Sequence, residues 1–97
     1  MFLKIHRAPG TGEVVAVCDR ELLNTTLAEG DLEVCISEKF YGSTPATEEE
    51  VRDALHHAEN ANLIGARTIA IAVDMGLIAY ETCIRISDVP HAQIFRI

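Results

Sequence analysis

Ninety-seven residues make a single domain, here residues 1–97, and make two separate cores hard to build. With 48% hydrophobic and 24% charged residues, the composition is that of a soluble globular protein. It excludes a disordered tail, a collagen, a coiled coil and a disulfide miniprotein. Fifteen acidic against eight basic residues give a net charge of −7, which repels nucleic acid and anionic membrane at long range.

The charge is unevenly spread. Residues 13–59 carry twelve acids against Arg20, Lys39 and Arg52, a net of −9, and the remainder carries +2. Lys4 interrupts the N-terminal apolar stretch too early for a signal peptide. The longest run without charge, residues 40–47, is far short of the ~18 apolar residues of a membrane span. Cys18, Cys35 and Cys83 are odd in number and form no Cys-x-x-Cys, so three reduced thiols and a cytosolic location are expected.

Residues 2–7 alternate and predict a strand, with Leu3 and Ile5 on one face and Lys4 and His6 on the other. Ala8-Pro-Gly-Thr-Gly12 predicts a turn into a second strand, residues 13–18. Val14 to Val17 are apolar on both faces, which marks this strand as central. Asp19 is placed to cap a short helix over 21–28, closed by Gly30. Leu32, Val34 and Ile36 alternate with Glu33 and Cys35 as a third strand.

Thr47 and Glu50 have the spacing of a capping box, and Glu48, Glu49 and Glu50 fill a first helical turn, where the dipole favours anions. Val51, Ala54, Leu55, Ala58 and Asn62 lie at helical spacing behind it. Residues 64–75 are apolar nearly all round, which predicts a second, deeply covered helix ended by Gly76 and Leu77. Residues 83–87 and 91–97 predict two last strands around a turn over 87–90. The fold class is therefore α+β: one mostly antiparallel or mixed sheet of about five strands, helices packed on one face. The order is strand, strand, helix, strand, helix, helix, strand, strand.

Sorting strand residues by face gives an apolar set, Leu3, Ile5, Leu32, Val34, Ile36, Ile84 and Ile86, expected against the helices. The opposite set, Lys4, His6, Glu33, Cys35, Cys83 and Arg85 with His91 and Gln93, is expected on an open face. Pro90 fixes the entry to the last strand, so His91 and Gln93 project to one side. The candidate binding residues are accordingly His6, Arg7, Arg85, His91 and Gln93. His6, Cys35, Cys83 and His91 are the right types for zinc, but their spacing matches no zinc signature; a metal site is the alternative expectation.

Other groups offer less. His56-His57 point about 100° apart and do not chelate from one face. Asp19 beside Cys18 raises rather than lowers its thiol pKa. Gly10 and Gly12 precede a strand, not the helix of a dinucleotide loop. No catalytic residue and no cofactor are expected. Lys4, Arg7, Arg85 and Arg96 with His6 and His91 suggest a small cationic patch for RNA, short of aromatics for base stacking.

Lys4-Ile-His-Arg7, Ala16-Val-Cys-Asp19 with Glu21-Leu-Leu23, Phe40-Tyr-Gly42, Asn62-Leu-Ile-Gly65 and Val89-Pro-His-Ala-Gln93 together resemble a family of small archaeal proteins. It is catalogued as domain of unknown function number 424. The resemblance runs end to end. It implies a stand-alone archaeal cytosolic protein with a connection to translation or RNA, and it brings no activity, cofactor or catalytic residue. The expected function is a small non-enzymatic module that binds a protein or ribonucleoprotein partner through the open face and residues 89–93. A small enzyme or metal protein is the alternative. A homodimer through the apolar 64–75 helix is also expected, because such a face needs cover.

Overall fold

The computed structural model of the chain describes residues 1–8, 10 and 12–95. Strands β1 (Phe2–Ala8) and β2 (Gly12–Cys18) form the expected hairpin, with Leu3 opposite Val17 and His6 opposite Val14. Gly10 and Gly12 take left-handed φ of 78° and 75° in its turn; Pro9 and Thr11 lie outside the described residues. β2 is central: β1 is antiparallel on one side, and β5 (Asn60–Ile64) is parallel on the other. β7 (Val89–Phe95) pairs antiparallel with β5, and the three-residue β6 (Ile84–Ile86) closes the sheet. The order is β1-β2-β5-β7-β6, a mixed five-stranded sheet.

Two expected elements differ. The helix over 21–28 is replaced by a single 3-10 turn, Arg20–Leu22, and by strand β3 (Thr25–Glu29). β3 pairs with β4 (Leu32–Ile36) in a separate hairpin turned at Gly30, φ 61°. The β-branched pair Thr25 and Thr26, together with the partner strand, outweighs local helix propensity. The second difference is β5, which occupies ground given to a helix. Helix α2 (Glu48–His57) ends at His57, and Ala58 is already extended at φ −72°, ψ 135°. Asn60, Asn62 and Ile64 then alternate with Ala61 and Leu63 across a strand.

The helical signals inside these bounds are as the spacing dictates. Thr47 Oγ1 accepts from Glu50 N at 3.1 Å and Glu50 Oε1 accepts from Thr47 N at 3.0 Å, a complete capping box. Helix α3 (Ala66–Asp74) ends in a Schellman motif: Leu77 N donates to Ala72 O and Gly76 N to Val73 O, with Gly76 at φ 75°. Its N-terminus is capped from elsewhere. Asp19, 2% exposed, accepts from Arg67 N at 3.0 Å and from Thr68 N and Oγ1 at 2.8 Å.

Two cores lie on opposite sides of the sheet. α2 and α3 cover one face, where Val51, Leu55, Ile69 and Ala72 pack on Val15, Val17, Ala61 and Leu63. On the other face, Ala16, Cys18 and Ile64 are buried under Ile36 of β4 and Tyr41 of the short helix α1 (Glu38–Tyr41), with Leu27 and Phe40 beside them. The expectation of one open face is thus corrected. The chain needs cover on both faces because its central strands are apolar on both. Of the apolar residues on which a homodimer was expected, Ile64 is buried in the second core and Ile69, Ile71 and Ala72 in the first, while Ala66 and Ala70 are exposed.

Candidate functional site

The five candidate binding residues divide between the two faces. Register places Lys4 and His6 with Val14, Asn60, Asn62, His91, Gln93 and Phe95 on the hairpin-covered face. Arg7 pairs with Glu13 at 3.1 Å. Arg85 lies opposite Pro90, on the helix side of β6, where its Nη2 donates to Tyr80 Oη at 2.7 Å and its guanidinium sits 5.0 Å over the Tyr80 ring. Ile84 and Ile86, expected toward the helices, instead share the face of His91 and Val89. Pairing with β7 at this register settles which side each residue takes, and a one-residue offset inverts the strand. The cationic patch therefore does not form among the described residues: Arg7 and Arg85 are turned away, Lys4 Nζ donates to Lys39 O at 2.9 Å, and Arg96 is outside them.

His6 and His91 do not converge either. Three strand spacings separate β1 from β7, about 14 Å, with a further offset along the strands. His6 stacks on Phe40 at 4.8 Å and faces its carbonyl oxygen from Nε2 at 2.7 Å. The alternative metal set is dispersed as well. Cys35 is exposed on the β3–β4 hairpin, and the Cys83 Sγ faces Ala79 O at 3.7 Å. Among the described residues no three His, Cys, Asp or Glu side chains gather in a way that holds a metal ion. Burial pushes the Cys18 thiol up to about 11, with Asp19 adding to the effect, so Cys18 stays protonated and unreactive near neutral pH.

What does converge lies around Asn62. Its Oδ1 accepts from Tyr41 Oη at 2.7 Å and from His91 Nε2 at 3.3 Å, which sets the Nε2–H tautomer of His91. Burial raises the Tyr41 hydroxyl above its usual range and lowers the His91 imidazole below its own, so both are neutral at pH 7. Beyond this triad the hairpin layer stops, and a strip of sheet remains uncovered. Gln93 is exposed there beside two apolar side chains, Phe95 at 72% and Ile84 at 61% exposure. A cleft of about 220 Å³ runs from Phe40 past Asn60 and Asn62 to Gln93 and Phe95. A second, of about 300 Å³, runs from Ile78 and Thr82 past Ile84 to the same two residues.

Sequence reasoning found His91 and Gln93 but missed Tyr41, Asn62, Ile84 and Phe95. Asn62 falls at helical spacing from Ala58, which reads as a helix face, and Phe95 next to the terminal apolar residues carries no signal of exposure. The period-two alternation over 60–64 was the one signal that pointed to Asn60 and Asn62 as strand residues on a shared face.

These features define a small α+β protein with a mixed five-stranded sheet, two helices on one side, a hairpin and a short helix on the other, and an uncovered margin along β7. The chain belongs to the family described as "Protein of unknown function (DUF424)", whose model matches residues 6–97. It is similar to the crystal structure of an uncharacterized conserved protein from Methanopyrus kandleri. The two are 28% identical with a TM-score of 0.79, over 99% of this chain and 92% of that one. No curated protein matches the chain. No helix among the described residues is long and apolar enough to cross a membrane.

Proposed function

We propose that this protein is a small cytosolic binding module that recognises a protein or ribonucleoprotein partner, rather than an enzyme. The observation that carries this reading is the pair of strongly exposed apolar side chains, Phe95 and Ile84, flanking Gln93 at the sheet margin. Exposed aromatic and aliphatic anchors beside an uncharged hydrogen-bonding group are what a docking surface supplies. Two further facts support it. The buried thiol is held in its unreactive form, and the imidazoles of His6 and His91 are each engaged with the chain itself. A protein surface suits the strip better than RNA, because neither candidate arginine reaches it and the chain carries −7 overall.

Affinity capture from native archaeal extract tests the reading, using wild type and Phe95→Asp, each with and without RNase. A stoichiometric protein that survives RNase and is lost with Phe95→Asp is the expected result. Capture indifferent to Phe95→Asp removes the strip as the recognition surface. Loss of every partner on RNase turns the reading toward RNA.

A further inference from the structure

The sheet margin at Phe95 and Ile84 is unfinished in a specific way. β7 runs from Val89 to Phe95, but β6 pairs only with Val89, Pro90 and His91. Upstream of Ile84 the chain leaves the sheet as a single 3-10 turn, Tyr80–Thr82. Among the described residues, 92–95 therefore have β5 on one side and no strand on the other. Gly65 N donates to Pro90 O at 3.0 Å, so Pro90, Ala92 and Ile94 present their peptide groups to β5. By alternation, Gln93 and Phe95 present theirs outward, past the end of β6. The roughly 300 Å³ cleft lies at this edge, lined by Ile78, Thr82, Ile84, Gln93 and Phe95.

We propose that residues 92–95 of β7 accept an extended segment of a partner protein as an added strand, continuing the line of β6. This rests on the binding-module reading and specifies its mode. An unpaired strand edge presents a row of donors and acceptors that another chain can satisfy, and side-chain pockets beside it then select the sequence. The open stretch takes about four residues, on the order of 13 Å of extended chain. A residue opposite Gln93 places its side chain between Ile84, two positions along the same line, and Phe95, its diagonal neighbour on β7. The next residues along project toward Ile78 and Thr82 on the opposite face. Among the described residues, no Asp, Glu, Lys or Arg lines the cleft. The occupant is thus an uncharged, apolar-rich extended segment, and the −7 charge of the chain favours basic over acidic flanks.

The test selects binders from a phage-displayed random dodecapeptide library on the immobilised full chain, then follows amide exchange of the labelled protein with the selected peptide. Added pairing slows exchange at Gln93 and Phe95 at least ~10-fold and leaves β1 unchanged. N-methylating the peptide at alternate positions weakens binding at least ~10-fold, and at the intervening positions changes it less than ~2-fold. Gln93→Pro, which removes an outward N–H, abolishes binding, while Gln93→Ala, which keeps that N–H and loses only the side-chain amide, weakens it less than ~10-fold. The exchange measurement on wild type decides the matter if the proline variant does not fold. Several results overturn strand addition: no peptide selected, a peptide that binds without protecting these amides, or oligouridylate protecting them instead. A dimer in light scattering that Phe95→Asp makes monomeric assigns the edge to a second copy and also overturns it. If the partner captured from extract still depends on Phe95 in any of these cases, the binding-module reading stands and only the mode is lost.

Discussion

The carboxyl group of Asp19 occupies the space that a Cβ on Gly65 would need: the added carbon would collide with Asp19 Cγ and Oδ1. Gly65 is also at φ 116°, a conformation that L side chains rarely adopt. The two residues make one device. Gly65 leaves β5 at an angle only glycine takes without strain, and Asp19 fills the gap to hold the first amides of α3. Asp19→Ala strands those buried donors and costs about 2 kcal/mol or more. Gly65→Ala costs about 1–3 kcal/mol in backbone strain, with the collision added. In the double variant the contacts with Cγ and Oδ1 vanish while the Cβ of residue 19 stays 2.7 Å from the added carbon, so relief is partial and the cost falls short of the sum by up to about 1 kcal/mol. Urea unfolding of the four proteins checks this, and simple additivity would mean that the two side chains do not compete for that space.

Helix α2 offers two independent readouts. Leu55 is buried against both the sheet and α3, so Leu55→Ala costs about 2–5 kcal/mol. Thr47→Ala removes half of the capping box and costs about 1 kcal/mol. Unchanged melting in both variants would mean that the helix is misplaced.

His91 links the site to pH. Burial lowers its pKa in the folded chain below the 6.5 of the free imidazole. Above about pH 6.5 it is neutral in both states and contributes no pH dependence. As pH falls through that value the unfolded chain takes up the proton first, so stability declines until the pH is below the folded pKa as well. His91→Gln removes this component, and its melting temperature should fall less than that of wild type between pH 7 and 5. Equal slopes would show that His91 is as exposed folded as unfolded.

Where a signal was local, the sequence carried it: the turn glycines of the first hairpin, the capping box of α2, the Schellman stop at Gly76, and the two-sided apolarity of β2. Where the partner is distant in sequence, it did not. Asp19 has the chemistry of an N-cap and is one, yet the helix it caps begins at Ala66. The faces of Ile84 and Arg85 depend on which residue of β7 stands opposite, and alternation within β6 cannot say. The open face was the largest misreading. Leu32, Val34 and Ile36 were assigned to the same sheet as Leu3 and Ile5, whereas they form the hairpin laid over its other side.

That second layer is the thinner one. Among the described residues the helix-side core holds ten buried residues and the hairpin-side core five, while Leu32, Glu33, Cys35 and Ala28 of the hairpin face water. Swinging the hairpin aside sacrifices less packing than melting the molecule, so the two layers come apart at different free energies. Cys18 lies beneath the weaker one, and its thiol becomes a built-in reporter of how often that flap lifts.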